Sequence, residues 1–343
     1  MVTKSSPTIY QVAKRAGVST ATVSRVLSQP DVVTPSTRKK VMTAVRAMAY
    51  TPNSVASNLR RVRASKLLVT VPDLSNPFFS LILQGIEDAA YRGGYSVLVG
   101  DTQHDAKREE GYAGMLKRRE ADGLIFLGHR LPREAAALVR AMAPLPAPVV
   151  NGCEFSPRLR IPSVHIDNAR AAGEAMAHLY SLGHRRVGIV TGPLVSPLSR
   201  DRLSGVTAQA RAVGLADMLT VVHGDFSIES GVAAGERLLK SKESPTAIFC
   251  FNDEMAIGVL SAARQHGAVV PRDLSVVGFD DIRFAQYTDP PLTTVAQPMR
   301  EIGERAVRLV LDILEGGRTP ESITLPHRLV LRATTGPASR RSG

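Results

Sequence analysis

Tryptophan is absent from this chain, cysteine occurs only as Cys153 and Cys250, and aromatic residues make up 5% of the sequence. Each cysteine sits in an apolar run (PVVNGC, AIFCF) without the spacing of a metal site or a redox pair, so both read as buried strand thiols in a reducing compartment. No run of about 18 apolar residues occurs, which excludes a membrane-spanning helix, and the opening MVTKSSP lacks the apolar core of a secretory leader. Enzymatic signatures are missing as well: no GxxxxGK[ST], GxGxxG, GxSxG, HExxH or CxxC is present. The histidines, His104, His165, His178 and His223 among them, show no metal-ligand spacing. Asp280 and Asp281 adjoin one another, but neighbours after a strand point in different directions and make a poor acid-base pair. No catalytic residue, cofactor or metal is therefore expected.

Acidic residues are scarce in one region. The first 66 residues hold twelve lysines and arginines against Asp31 alone, which places +11 of the chain's net +12 there. Such a concentration is the electrostatic footprint of a polyanion-binding module joined to a near-neutral remainder.

Within that basic region, TIYQVAKRAGVSTATVSRVL (residues 8–27) reads as two helices and a tight turn. Thr8 is placed to cap the first helix, whose Ile9, Val12, Ala13 and Ala16 recur at helical spacing. Gly17 supplies a left-handed terminus, and Ser19 is placed to cap the second helix at once. There Val23, Val26 and Leu27 form the apolar side, leaving Thr20, Ala21, Thr22, Ser24 and Arg25 outward. Short side chains plus one guanidinium fork suit a helix that enters a DNA major groove. Thr34 and Pro35 open a third helix lined by Val41, Val45 and Met48. The segment after Pro52 has only Val55, Ala56 and Leu59 on a narrow apolar face, so it should fold only against a partner.

From Lys66 the texture becomes apolar strands alternating with helices: LLVTV, YSVLVGD and DGLIFLG, then RRVGIVTG, LTVVHGD, TAIFCFND and LSVVGFDD. Apolar strands spaced by helices predict parallel sheets covered on both faces. The stretches starting at KLLVTVPD and RRVGIVTG look like distant copies of one unit, which predicts two doubly wound lobes with a ligand cleft between them.

Residues 8–60 resemble the headpiece and hinge of the LacI/GalR family of bacterial repressors, in TIYQVAKRAGVSTATVSRVL and TPSTRKKVMTAVRAMAYTPNSVASNL. DGLIFLG, VHIDN, LGHRRVGIVTGP, GDFSIESG, FNDEMAIGVL, LSVVGFDD and DPPLTTVAQPMREIG are similar to the effector domain of that family, with LGHRLP, PSVHIDN and GDFSIESG most like its cytidine-responsive subgroup. The resemblance implies an α/β fold: a three-helix helix-turn-helix headpiece (1–51), a hinge helix (52–65), and a two-lobed periplasmic-binding-protein-like domain (66–343). Its lobes would comprise about 66–164 with 294–320, and 165–293 with 321–340. It implies a homodimeric repressor in the bacterial cytoplasm, at the nucleoid, bound to double-stranded operator DNA and to a small effector, with no membrane partner.

The same resemblance assigns roles. Thr20, Ala21 and Arg25 match base-reading positions and Tyr10, Thr22 and Ser24 phosphate-contacting ones, with the capping residues Thr8 and Ser19 counted in the same DNA-binding set. Asn53, Ala56 and Leu59 match the hinge helix, whose leucine wedges into the minor groove. Arg202 and Asp280 match the arginine and aspartate that hold ligand hydroxyls, an arrangement in which one group donates and the other accepts. Asn151, Asn252 and Gln297 would line the cleft, and Phe78, Phe79 and Phe226 would form aromatic walls for a nucleoside such as cytidine. A sugar would suit Arg202 and Asp280 equally. A solute-binding protein of the periplasmic type would share the two lobes but not the basic headpiece. The terminal RATTGPASRRSG lacks the heptad leucines of a tetramerising coil.

Overall fold

The computed structural model describes residues 7–50, 64–155, 159, 161–316 and 320–339. The chain divides into two units, Met1–Arg63 and Ala64–Gly343.

The smaller unit contains α1 (Ile9–Ala16), α2 (Thr20–Ser28) and α3 (Pro35–Ala47). Val12, Ala13, Val23, Val26, Val41 and Ala44 form its core, so each helix contributes two buried residues. Gly17 closes α1 at φ +65°, the left-handed conformation that lets α2 start only a few residues later.

The larger unit carries two six-stranded sheets. The first alternates β1 (Lys66–Val71), α4 (Pro77–Arg92), β2 (Ser96–Asp101), α5 (Ala106–Lys117), β3 (Gly123–Phe126), α6 (Arg133–Met142), β4 (Val149–Gly152) and β5 (Ser163–Ile166). The second sheet follows with α7 (Asn168–Ser181), β6 (Val187–Thr191), α8 (Pro197–Ala212), β7 (Leu219–His223), α9 (Ile228–Leu239), β8 (Ala247–Cys250), α10 (Asp253–Gln265), β9 (Ser275–Asp280) and β10 (Thr293–Ala296). The chain then returns through α11 (Met299–Gly316) and β11 (Ile323–Leu325) before ending near β12 (Arg328–Val330).

Strand orders are β11-β5-β4-β3-β1-β2 and β12-β10-β9-β8-β6-β7, so β1-α4-β2 and β6-α8-β7 occupy equivalent places, as the repeated sequence unit predicts. Leu67, Val69 and Val71 face one hydrophobic cluster and Leu68 the other, which is the two-faced burial expected of a parallel sheet. Cys250 lies in β8 and Cys153 just past β4 at φ +67°; both are buried.

The expected lobe boundaries need correction. β5 runs to Ile166 in the first sheet, β10 pairs with β9 in the second, and β11 pairs with β5 in the first. Crossings between lobes therefore fall at Ile166–Asn168, Ala296–Met299 and Leu325–Arg328. Sheet membership depends on partner choice, which local patterning does not encode.

Candidate functional sites

In the smaller unit the outward residues are held by caps. Thr8 N donates to Gln11 Oε1 at 2.8 Å while Gln11 N donates to Thr8 Oγ1 at 3.4 Å, a reciprocal capping box. Ser19 Oγ accepts Thr22 N at 3.1 Å and lies 2.9 Å from Thr22 Oγ1. Thr8 and Ser19 thus fix the helix starts. Thr34 occupies the cap position of α3 but makes no backbone cap bond; its hydroxyl donates to Thr37 Oγ1 at 3.0 Å instead. Tyr10 is 74% exposed, Ala21 and Arg25 are exposed, and Thr20, Thr22 and Ser24 are half-buried. Asn53, Ala56 and Leu59 lie outside the described residues.

The second site is centred on Arg202 of α8, only 2% exposed. Its Nε donates to Asn168 Oδ1 at 2.8 Å, its Nη1 donates to the Phe251 carbonyl, and its Cζ lies 3.6 Å from the centre of the Phe279 ring. Nη2 is 3.9 Å from Asp280 Oδ1, which also accepts Gln297 Nε2 at 2.7 Å. The ion pair is therefore electrostatic rather than a closed hydrogen bond. Burial raises the Asp280 carboxyl above the usual carboxylate range against the pull of Arg202, and burial lowers the Arg202 guanidinium, which stays protonated at neutral pH.

Asp280 (φ +115°) and Asp281 (φ +59°) hold backbone conformations that cost non-glycine residues on the order of 1–3 kcal/mol each. Three tethers maintain them. Arg332 Nη2 pairs with Asp281 Oδ1 at 2.6 Å, Ile282 N donates to Asp253 Oδ2 at 2.8 Å, and Thr294 Oγ1 donates to the other Asp253 oxygen at 2.5 Å. Asp280 and Asp281 thus point to different partners, as anticipated, and Asp253, fully buried, is a structural tether of the turn. Burial drives its carboxyl far up, with Asp280 adding to the rise.

The remaining predicted residues divide. Phe226, half-buried at φ +76°, lays its ring over Gly192, where an added Cβ would collide with it. Asn252 is the N-cap of α10, accepting Met255 N at 3.0 Å, and its Nδ2 donates to the Phe226 carbonyl at 2.8 Å. Its amide therefore organises the aromatic. Asn151 similarly holds a loop: Nδ2 donates to the Gly128 carbonyl at 2.8 Å and Oδ1 accepts Glu154 N at 3.0 Å. Phe78 belongs to the hydrophobic interior, and half-buried Phe79 meets it edge-on with centroids 5.1 Å apart.

Sequence reasoning missed Glu154, Ser196, Ser199 and Asn168. Ser196 Oγ, in the second lobe, donates to Glu154 Oε1 of the first at 3.2 Å. Glu154 Oε2 and Ser199 Oγ are buried without a hydrogen-bond partner. Burial pushes the Glu154 carboxyl up to about 8, so it is largely neutral at physiological pH and able to donate. Ser196, Ser199 and Arg202 recur every third residue along SPLSRDR, a spacing that puts them on one helix face and was visible in the sequence. Glu154 offered no such signal, since it follows an irregular turn. Among the described residues no group of His, Cys, Asp and Glu has the arrangement of a metal site, and no helix is long and apolar enough to cross a membrane.

A basic helix-turn-helix unit joined to two lobes with a polar cleft defines the class of ligand-controlled DNA-binding regulators. Residues 8–53 match the family model for bacterial regulatory proteins, lacI family, and residues 176–335 match a periplasmic binding protein-like domain. The chain is 42% identical over 334 residues to the HTH-type transcriptional repressor CytR of Escherichia coli strain K12, covering 97% of each chain. It is 34% identical over 307 residues to the HTH-type transcriptional repressor PurR of Photobacterium profundum, covering 89% of this chain and 91% of the relative. The structure superposes with a TM-score of 0.87 on a lac repressor dimer bound to operator and the anti-inducer ONPF, at 31% identity, covering 96% of this chain and 99% of that one. The chain belongs to the lacI family: it is a DNA-binding transcriptional repressor with an effector domain.

Proposed function

We propose that the chain acts as a homodimer on a near-palindromic operator and is controlled by a nucleoside, cytidine foremost, held between its lobes. The observation that supports a nucleoside is the half-buried Phe226 ring in the loop held by Asn252, beside a buried Arg202–Asp280 pair whose donor fork and acceptor suit the hydroxyls of a nucleoside or a sugar alike. A ribose diol accepts from the guanidinium and donates to the carboxylate, while an aromatic ring suits a base. The likeness to CytR supports the same choice. In the headpiece, Arg25, Thr20 and Ala21 read base edges and Tyr10, Thr22 and Ser24 set register on phosphates. Asn53, Ala56 and Leu59 belong to a hinge segment at 52–65, between a headpiece at 1–51 and the effector domain from 66, and would engage the minor groove.

A sugar effector is the second reading, favoured by the structural likeness to a LacI-family regulator of Enterococcus faecium with bound ribose (TM-score 0.72, 30% identity, covering 79% of this chain and 99% of that one). A thermal-shift screen against nucleosides, bases and simple sugars separates them, since a ligand selective for the folded state raises Tm by mass action. Stabilisation by cytidine without a response to sugars is expected. A response to a sugar alone overturns the nucleoside.

A further inference from the structure

The chain crosses between its lobes three times, and at two crossings a side chain of the crossing segment is bonded directly to the Arg202–Asp280 pair. Asn168 ends the first crossing: its Oδ1 accepts Arg202 Nε at 2.8 Å and its Nδ2 donates to the Ile166 carbonyl at 3.4 Å. Gln297 lies in the second: its Nε2 donates to Asp280 Oδ1 at 2.7 Å and its backbone N–H to the Asp280 carbonyl at 3.2 Å. The third crossing carries His327, whose Nε2 sits 3.0 Å from Glu174 Oε2 on α7 and which joins neither member of the pair.

Both linked side chains are buried, Asn168 at 5% exposure and Gln297 at 6%, so water does not replace a lost bond there. The guanidinium is also rigid. With Nε on Asn168, Nη1 on the Phe251 carbonyl and the plane over Phe279, Arg202 cannot turn toward a ligand without moving its partners. One of those partners is the first residue of α7 and the last of a lobe crossing. Likewise, Gln297, two residues before α11, holds Asp280 through Oδ1, so a displacement of that carboxyl group is felt in the second crossing.

We propose that Asn168 and Gln297 are positioning residues that carry occupancy of the Arg202–Asp280 pair into two of the three lobe crossings, and so convert effector binding into a change of lobe angle. This rests on the assignment of that pair to the effector. It also makes the third crossing an internal control, since His327 can loosen a crossing without touching the pair.

The test uses the full chain and an operator selected from a random duplex pool, titrated with and without saturating cytidine. The readout is the ratio of the two operator dissociation constants, with cytidine occupancy followed separately by calorimetry. In the wild type the ratio is expected within the usual allosteric range of about 5–150-fold. Asn168→Ala should bring it below about threefold while cytidine still saturates, and Asn168→Asp, which keeps an acceptor for Arg202 Nε, should restore most of it. Gln297→Ala, at a cleft-lining position, should lower the ratio and weaken cytidine binding together, so its ratio is read at the saturation that calorimetry gives, and His327→Gln should leave the ratio in place. An unchanged ratio in Asn168→Ala, or an equal loss in His327→Gln, overturns the relay. If cytidine does not bind the wild type, the nucleoside reading fails and the relay is decided without ligand, by amide hydrogen exchange of Arg202→Lys. Loss of the Nε bond should accelerate exchange across residues 166–171, and unchanged protection there overturns the relay.

Discussion

The side chains assigned to DNA stand largely on one nine-residue helix and are exposed or half-buried, whereas those assigned to the effector are gathered from positions between 78 and 297 and are mostly buried. The contrast reflects the two ligands. DNA is a polyanion met at the surface, so exposed groups keep their ordinary chemistry and their strength depends on ionic strength. A small molecule in a cleft is met by groups already stripped of water, and the fold remakes their chemistry: the Glu154 carboxyl is pushed up to about 8 and the Asp280 carboxyl is raised. Exposure makes headpiece residues replaceable one at a time, while burial makes the cleft residues mutually dependent.

The largest expected effect tests that dependence. Arg202→Ala removes one member of a network holding Asn168, Phe251, Phe279 and Asp280. Breaking such a buried set costs about 3–5 kcal/mol, and at about 2–4 °C per kcal/mol the core should melt on the order of 10 °C lower. Cytidine should no longer raise its Tm. A variant that melted normally and still answered cytidine would show the cleft residues to be as independent as those of the headpiece. Arg25→Ala should do the reverse: loss of one bidentate base contact lowers discrimination between operator and random DNA by about 5–150-fold, the equivalent of 1–3 kcal/mol. Core Tm should not move. Equal losses on operator and random duplexes would make Arg25 a phosphate contact instead.

How much was legible follows the same division. The cap at Thr8, the turn at Gly17, the cap at Ser19 and the apolar faces of α1 and α2 are local signals, and the structure places them as the sequence implied. Alternation of strands and helices disclosed the doubly wound lobes. Pairing did not come through: β10 and β11 were assigned to the wrong lobes because a short apolar strand carries no mark of its neighbours. Arg202, Asp280 and Gln297, which bonds Asp280, were named from their motifs, but Asn168, which holds Arg202, was not. Asn168 and Glu154 matter through contacts with residues 34 and 42 positions away, which no window of sequence contains.

A smaller effect separates buried from exposed chemistry by pH. The folded-state pKa of Glu154 is raised from 4.5 to about 8 by burial, so its contribution is fully present below about 4.5 and lost as pH rises through about 8. Wild-type core Tm should therefore fall by a few degrees between about pH 6 and 9, and Glu154→Gln, neutral throughout, should flatten that slope. A slope unchanged in the variant would assign the pH dependence elsewhere, with Glu254, raised to about 7 chiefly by burial, as the next group to replace.

The smallest effect asks whether the two units are energetically separate. Gly17 sits at φ +65° with open space around its missing Cβ, so Gly17→Ala adds no clash and acts only through backbone strain. That strain costs roughly 1 kcal/mol, a sizeable loss for a unit whose core is six buried side chains, none larger than valine. Limited proteolysis at the headpiece should accelerate up to about fivefold, and operator affinity should fall by no more than that, since 1.4 kcal/mol corresponds to a factor of 10. The core transition, followed in the same samples by its stabilisation with cytidine, should stay where it is. If it moved in step with the headpiece, the two units would unfold as one cooperative body, and the independence of exposed from buried recognition would fail at its thermodynamic root.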